Sequence, residues 1–365
     1  MRDIGGWISG RRRATALLVV LVAACGGSTS VVAPTPKGSA TVPGTVTRDA
    51  GGWTEYTIGD APLIVAAPHG GLLTPTAIPD RNCSGCVYAT DDNTQELARA
   101  IVTKFLARTG KRPHLIVNLL KRSKLDANRA VAEATDDNPQ TADAWNFYHQ
   151  SIDAAAASVA AAHGRGLLLD IHGHGHAINR VELGYNISTA SLQLSDQALG
   201  AASSVFAASS FAKLISASAA HPTNVALLRG ATSMGALFAA RSIPAVPSPA
   251  IPAPATGDEY FDGGYTVERH GSSTGGAVDA IQIESYRPGL RDNLVNVDTY
   301  ATTLVNIALD FLKQHYGWGS GSAQLAVAAA LAPWTARGAT PAMRLTWRPI
   351  DGDARPSLRS SVEAR

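Results

Sequence analysis

The chain has 365 residues, of which 45% are hydrophobic and 16% charged, and it carries a formal net charge of +2 at pH 7. This composition is typical of a globular protein, and the length is sufficient for one large domain with a full core. A net charge so close to zero gives no indication of a nucleic acid or an anionic membrane surface as a partner.

The first 24 residues have the pattern of a bacterial lipoprotein signal peptide. Three arginines at positions 11–13 precede an apolar run at positions 14–24, which is too short to span a bilayer as a helix. Small residues lead into Cys25 and resemble a lipobox; an ordinary signal peptide with an incidental cysteine is the alternative. We therefore expect export, removal of residues 1–24, and a lipid on Cys25 that anchors the protein to the bacterial cell envelope, on the periplasmic or outer face.

Composition divides the remaining chain into three parts. Residues 25–48 are rich in Ser, Thr, Pro and Gly, which predicts a flexible tether. Residues 49–320 carry the periodic apolar segments of a folded domain. Residues 321–365 lack such segments, and we expect a loosely packed or disordered tail there.

Cys83 and Cys86 form a Cys-x-x-Cys motif in a polar loop. In an exported protein this spacing favours a disulfide. A zinc knuckle would need a second cysteine pair, and a thioredoxin-like redox motif would lie at a helix start after a strand. The sequence therefore predicts a disulfide between Cys83 and Cys86.

Predicted strands and helices alternate along residues 49–320. The expected strands are Trp53–Ile58, Leu63–Ala67, His114–Leu120, a run from Leu167 into the histidines, Arg180–Tyr185 and Ala277–Glu284. The expected helices are Thr94–Ala107, Thr141–His163, Ser203–Ala219, Ser233–Ala240 and Leu294–His315. The segment 243–256 contains five prolines and is expected to be an irregular loop. This order predicts a single three-layer α/β domain, with a mixed, mostly parallel sheet and helices on both faces.

Polar residues follow four of the apolar runs: His69, the segment 122–129, His172 and Glu284. Ligands of open α/β sheets bind beyond the carboxyl ends of the strands. A catalytic zinc takes three protein ligands, and His69 and His172 are the two imidazoles best placed to supply them. The third ligand should be a carboxylate at the helix start, either Asp91 or Asp92.

His172, His174 and His176 would lie on one side of a continuous strand. Same-side positions are about 7 Å apart, so the three imidazoles cannot all bind one ion at about 2 Å. His174 and His176 are therefore interpreted as residues that line the substrate pocket or support the ligands.

Glu284 ends an apolar strand, where a carboxylate is costly unless it is used or paired. Beside a metal ion it would act as general base and then as acid to a leaving amine, with a salt bridge to Arg287 or Arg269 as the alternative. Arg122, Asn128 and Arg129 follow another strand, and the arginine forks suit a substrate carboxylate.

Together, these segments resemble the N-formylglutamate amidohydrolases and their relatives, which share a fold with the zinc carboxypeptidases. The matching segments span about residues 60 to 290 and keep the order of the family. They are Pro68-His69-Gly70-Gly71, Thr90-Asp91, Arg122 with Asp126-Ala127-Asn128-Arg129, Asp170-Ile171-His172, Gly263-Gly264-Tyr265-Thr266 with His270-Gly271, and Gln282-Ile283-Glu284 with Arg287.

The resemblance implies a zinc carboxypeptidase-like fold, and Zn2+ held by His69, Asp91 and His172, with Asp91 preferred to Asp92. It implies Glu284 as the catalytic base, with Arg129 positioning the substrate. Arg122, Asn128, Arg129, His174, Tyr265 and Arg287 are the expected substrate-binding residues. The expected activity is hydrolysis of an amide bond in an N-acyl amino acid or peptide that bears a free carboxylate.

Two other functions fit parts of the pattern. One is a non-catalytic lipoprotein that binds carboxylates on the same fold. The other is a barrel metallohydrolase in which His172 and His174 form a His-x-His pair. Loss of metal on replacement of His174 would favour the barrel, and retention would favour His69 and Asp91.

Overall fold

An eight-stranded mixed sheet lies between two layers of helices in the computed structural model, which describes residues 42–319. The predicted signal peptide, Cys25, residues 25–41 of the predicted tether and the predicted tail from residue 321 lie outside the described residues. The three-layer α/β architecture predicted from the sequence is confirmed.

The strands are short and the helices vary widely in length. The strands are β1 (Val46–Arg48), β2 (Thr54–Thr57), β3 (Leu63–Ala67), β4 (His114–Asn118), β5 (Gly166–Gly173), β6 (Val181–Gly184), β7 (Ala245–Val246) and β8 (Val278–Ser285). The helices are α1 (Thr94–Thr109), α2 (Val131–Thr135), α3 (Pro139–His163), α4 (Thr189–Leu192), α5 (Asp196–Ala201), α6 (Ser203–Ala208), α7 (Ala212–Ala217), α8 (Asn224–Arg229), α9 (Met234–Ala239), α10 (Tyr265–His270) and α11 (Leu294–Tyr316).

The strand order places the centre of the sheet where the sequence predicted polar strand ends. The order is β1-β2-β4-β3-β5-β8-β6-β7, and β4, β3, β5 and β8 run parallel as neighbours. Strand β2 pairs antiparallel with β1 and β4, and β6 pairs antiparallel with β8 and parallel with β7. Four parallel carboxyl ends therefore meet at one edge, which is where such sheets bind their ligands.

Side-chain alternation in β5 and β8 separates the core from this polar edge. Leu169 and Ile171 of β5 pack in the core on the side of α1 and α11, and Ile281 and Ile283 of β8 face the same way. Leu168 points to the opposite core, under α3. Because side chains alternate along a strand, the polar residues between these core positions project together on the α3 side.

Two segments differ from the sequence prediction in ways that bear on the domain boundaries. The predicted tether is wrong for Val46–Arg48, which forms β1 and pairs with β2, so the sheet begins before residue 49. The strand is three residues long with all of them exposed, and this leaves no apolar alternation to detect. The proline-rich loop is irregular as predicted except at Ala245–Val246, which pairs with β6 as the edge strand β7. Proline is tolerated beside such edge positions.

The helix predicted over 203–219 is interrupted. It forms as α6 and α7, separated by buried serines. The Ser210 N–H donates to the Tyr185 carbonyl and its hydroxyl to the Ala280 carbonyl. These bonds compete with the helical ladder, which explains the break.

Within residues 42–319, none of the helices is both long and apolar enough to cross a bilayer.

His114 of β4 is a buried imidazole that should make stability depend on pH. Tyr56 Oη and the Gly59 N–H both donate to its Nδ1, at 2.9 and 3.1 Å. Burial lowers the pKa of His114 from 6.5 to about 4. The unfolded chain therefore binds a proton that the folded chain does not, and stability falls as the pH drops from about 6.5 towards 4.

We expect His114→Asn to remove this pH dependence, since the asparagine oxygen can accept the same bonds without titrating. Between pH 7 and 4.5 the wild type should lose about 2 kcal/mol more unfolding free energy than the variant. Urea unfolding at the two pH values measures the difference. Equal losses in both proteins would contradict the assignment.

Candidate metal centre

Three of the predicted ligands converge at the carboxyl ends of β3 and β5. His69 follows β3, Asp91 precedes α1, and His172 is the second-last residue of β5. All three are buried, and their donor atoms form a group close enough to hold one metal ion. A Cβ on Gly70 would lie 2.4 Å from the backbone nitrogen of Gln95, so glycine is required for α1 to approach His69.

The distances within this group match those of a tetrahedral metal site. Asp91 Oδ2 lies 3.3 Å from His69 Nδ1 and 3.2 Å from His172 Nδ1. A tetrahedral ion with bonds of about 2.0–2.1 Å separates neighbouring ligand atoms by about 3.3–3.4 Å. Two of the three ligand–ligand distances therefore match a zinc-like ion, and all three donor atoms lie within 4.8 Å of one another.

Each histidine is oriented by a second carboxylate on its far side. His69 Nε2 lies 2.7 Å from Asp126 Oδ1, and His172 Nε2 lies 2.9 Å from Asp170 Oδ2. Carboxylates only accept, so both Nε2 atoms carry the proton and both Nδ1 atoms face Asp91. This carboxylate–histidine arrangement is the one that metal-binding histidines usually show.

The electrostatics of the group favour a cation at its centre. Burial opposes ionisation of Asp91, but His69 and His172 outweigh it and hold its pKa well below the usual value. Burial likewise opposes the charge on His172, but Asp170 and Asp91 raise the pKa of its imidazole well above the usual value. The carboxylates thus keep strong negative potential where the two Nδ1 atoms meet Asp91.

Glu284 of β8 lies beside this group because the sheet register pairs it with His172. Its Oε1 accepts from Gln282 Nε2 at 2.8 Å and lies 3.8 Å from His172 Nδ1. Its Oε2 is buried without a hydrogen-bond partner. Burial raises the pKa of Glu284 to about 8, although the His172 charge opposes the rise. The alternative of a salt bridge to Arg269 or Arg287 is wrong, since those arginines face Asp153 and Asp92.

Two solved structures resemble the chain, while no family profile and no curated protein matches it. A gene product from Agrobacterium tumefaciens has 17% identity and a TM-score of 0.43, with 70% of this chain and 90% of that one covered. N-formylglutamate amidohydrolase from Ralstonia eutropha JMP134 has 11% identity and a TM-score of 0.44, with 70% and 95% covered. The second carries the name of the family that the sequence motifs resemble, but similarities this low carry no argument about function.

A cavity of about 690 Å³ opens next to the candidate metal centre. Asn128, Arg129 and Tyr265 line it, as do the carboxylates of Glu133, Asp262 and Glu268. Asn128 Nδ2 lies 3.4 Å from His172 Nε2, and its Oδ1 accepts from the Thr266 N–H. Asn128 thus lies between the cavity and His172, although its amide N–H and the His172 Nε2–H are both donors and form no hydrogen bond with each other.

Arg129 lies at the cavity, just before α2. Its Nε donates to Glu133 Oε1 of α2 at 3.1 Å, its Nη1 donates to the Asn128 carbonyl at 2.9 Å, and the side chain is one-third exposed. To bind a ligand in the cavity, the guanidinium must share or release these partners.

Three of the residues predicted to bind substrate lie elsewhere. Arg122 is buried and donates to Asp126 Oδ2 at 2.8 Å, so it supports the carboxylate that orients His69. Arg287 is exposed and lies 3.6 Å from Asp92, which is exposed too and stands outside the ligand group. Of the two adjacent carboxylates, Asp91 is therefore the one that faces the histidines.

His174 is the third of these residues. β5 ends at Gly173, so His174 and His176 leave the strand instead of continuing it. His174 Nε2 donates to the Arg180 carbonyl at 2.8 Å, and His174 is not a member of the ligand group of His172. This geometry and the open sheet disfavour a His172/His174 pair in a barrel.

The loop with the cysteines packs behind the centre. The sulfur atoms of Cys83 and Cys86 are in contact and their Cα atoms are 5.4 Å apart, which a disulfide permits. Buried Arg81 donates to Cys86 Sγ and to the Arg122 carbonyl. Arg81 therefore links the cysteine loop to the segment that carries Asp126.

Two buried residues at this edge of the sheet were not predicted from the sequence. Glu182 lies in β6 opposite Glu284, and Arg291 donates to the carbonyls of Ser285, His174 and Asp92. Glu182 could have been found by the same reasoning as Glu284, because it is a carboxylate inside a short apolar strand. Arg291 gave no such signal, since it follows a Pro-Gly turn in a polar stretch.

Replacing Asp170 by asparagine should weaken metal binding, because the neutral amide polarises His172 less than a carboxylate does. We expect the affinity for Zn2+ to fall about 10- to 100-fold. Competition with a chromogenic chelator measures the change. Asp92→Asn, next to Asp91 in the chain but exposed, is the matched control and should keep wild-type affinity. A loss in Asp92→Asn without one in Asp170→Asn would contradict this assignment.

Proposed function

We propose that this protein is a metal-dependent hydrolase that uses zinc to cleave an amide bond. One observation carries the proposal: two buried histidines, each oriented by a carboxylate, direct Nδ1 at Asp91 beside the free Oε2 of Glu284. Imidazole and carboxylate donors suit zinc, while calcium and magnesium prefer oxygen donors alone.

His69, Asp91 and His172 would hold the ion, which polarises a carbonyl oxygen and makes water more acidic when bound. Glu284 takes a proton from the attacking water through Oε2 as the water oxygen bonds to the amide carbon. The same proton then passes to the amide nitrogen as the C–N bond breaks. Accepting and donating a proton in one cycle needs a pKa near the working pH, which burial supplies at Glu284.

The cavity beside Asn128 suggests which part of the substrate binds there. Arg129 and the Asn128 amide offer donors for a carboxylate at one end. We therefore propose N-acyl amino acids or peptides with a free carboxylate as the substrate class. Cell-envelope peptides would fit the export and the lipid anchor that the sequence predicts at Cys25.

The test is direct. Purified full-length protein is analysed for zinc and assayed on N-acyl amino acids, on their carboxyl-amidated analogues, and after chelation and zinc replacement. We expect about one or more equivalents of zinc, activity that chelation abolishes and zinc restores, and a preference for the free carboxylate. Protein that binds zinc and carboxylates but hydrolyses no amide would instead support the non-catalytic binding alternative.

Arg129→Ala should raise KM far more than it lowers kcat, because the arginine binds the carboxylate before and during the reaction. A hydrogen-bonded ion pair contributes about 1.5–3 kcal/mol, which corresponds to roughly 10- to 100-fold in KM. Glu133→Gln removes the negative charge that competes with the substrate carboxylate for the guanidinium, and it should lower KM. Steady-state kinetics on a free-carboxylate substrate and its amide measure both changes. Equal effects on the two substrates would contradict the role of Arg129.

A further inference from the structure

A second group of metal-binding side chains lies next to the first. His174 and His176 follow β5, and Glu182 lies in β6; their donor atoms all fall within 4.8 Å of one another. His174 and Glu182 are buried, and His176 keeps a small exposed fraction. The group therefore has two imidazoles and one carboxylate at a partly open position.

The hydrogen bonds of His174 fix its tautomer. Its Nε2 donates to the Arg180 carbonyl, so its Nδ1 is unprotonated and accepts from the His176 N–H at 3.2 Å. A cation at Nδ1 would replace this one backbone hydrogen bond. His176 Nδ1 in turn lies 3.0 Å from Glu182 Oε1.

Glu182 is a buried carboxyl group, and the guanidinium nearest to it makes no hydrogen bond with it. Arg180 approaches its Oε1 only to 3.9 Å, through an Nε that makes no hydrogen bond, while Nη1 binds Asp258 at 2.8 Å. In the sheet register, Glu182 also stands directly opposite Glu284. A cation at Glu182 would therefore lie close to two buried carboxyl groups.

The group is open at Gly175 and covered by Phe261 on one side. Gly175, between the two histidines, has open space where a Cβ would stand. The Phe261 ring lies against His176 with its centroid 4.5 Å away and covers one side of the group. The Phe261 N–H donates to Glu182 Oε2, which leaves Oε1 directed at His176.

We propose that His174, His176 and Glu182 form a second divalent-metal site, separate from the one at His69, Asp91 and His172. Two imidazoles and one carboxylate match zinc or a similar first-row transition ion. Binding at this site needs no catalytic activity. Its contribution to hydrolysis, through a second positive charge beside Glu284, rests on the proposed function.

Metal stoichiometry tests the proposal. Full-length protein is loaded with zinc alone, freed of loosely bound ions and measured for bound equivalents by elemental analysis. We expect two equivalents in the wild type, one in His176→Ala, one in His69→Ala and none in the double variant. His221→Asn removes an exposed histidine outside both groups and should keep two. Circular dichroism and thermal melting confirm that each variant is folded.

Different zinc stoichiometries would contradict the two proposed sites. One equivalent in the wild type, kept in His176→Ala and lost in His69→Ala, would overturn the second site and leave the proposed function standing. One equivalent lost in His176→Ala but kept in His69→Ala would support the second site and overturn the first. If His176→Ala does not fold, Glu182→Gln is nearly isosteric and should also lose one equivalent; two equivalents in that variant would overturn the proposal.

Discussion

Glu284→Gln is expected to reduce kcat by about 10²- to 10⁴-fold while the zinc at His69, Asp91 and His172 stays bound. The glutamine keeps the size of the side chain and an oxygen that accepts from Gln282. It cannot take a proton from water, which is the role that buried Glu284 would fill. The loss corresponds to about 3–5 kcal/mol in the barrier.

Zinc content and single-turnover kinetics separate this effect from loss of the ion. Glu259→Gln makes the same chemical change at an exposed position and should keep wild-type kcat. A Glu284→Gln protein that retains zinc and hydrolyses the substrate at the wild-type rate would exclude Glu284 as the base.

His172→Ala should abolish zinc binding at the first site and destabilise the fold as well. His172 and Asp170 form a fully buried pair, at 1% and 0% side-chain exposure. Removing one partner of such a pair leaves an uncompensated charge and costs about 3–5 kcal/mol. Denaturant unfolding under chelating conditions measures this cost without the contribution of bound metal.

The double variant His172→Ala/Asp170→Asn distinguishes the two effects. It removes the stranded carboxylate, so it should regain part of the lost stability but none of the lost zinc affinity. A double variant as unstable as His172→Ala would mean that the cost comes from the cavity left by the imidazole and not from the charge.

Much of the metal centre could be predicted from the sequence, because the carboxyl ends of neighbouring parallel strands lie side by side at one edge of the sheet. His69 and His172 each follow or end an apolar run, and neighbouring parallel strands bring such ends together. Glu284 was readable from its alternation with Ile281 and Ile283, since a polar residue at a core-period position must face the other side. Glu182 alternates with Val181 and Leu183 in β6 in the same way, so it could be predicted by the same reasoning.

What the sequence left open depends on tertiary contacts. Asp91 and Asp92 are equivalent in a helix-start motif, and only the packing of α1 against His69 turns the first inward. His174 shares a period with His172, but β5 ends at Gly173 and redirects the chain. The pairing of Arg129 with Glu133 is local in the chain, yet its position at a cavity depends on α10 and the loop before it.

The separation of the ligands along the chain affects when each site can form. His69, Asp91 and His172 are joined by intervals of 22 and 81 residues, so no short segment brings them together before the central strands have paired. The second group lies within nine residues, across one turn between β5 and β6. An ion at the first centre can therefore be captured only late, once the sheet exists. The second could hold one on a nascent chain, because its ligands need only the segment from β5 into β6, before β8 inserts between these two strands.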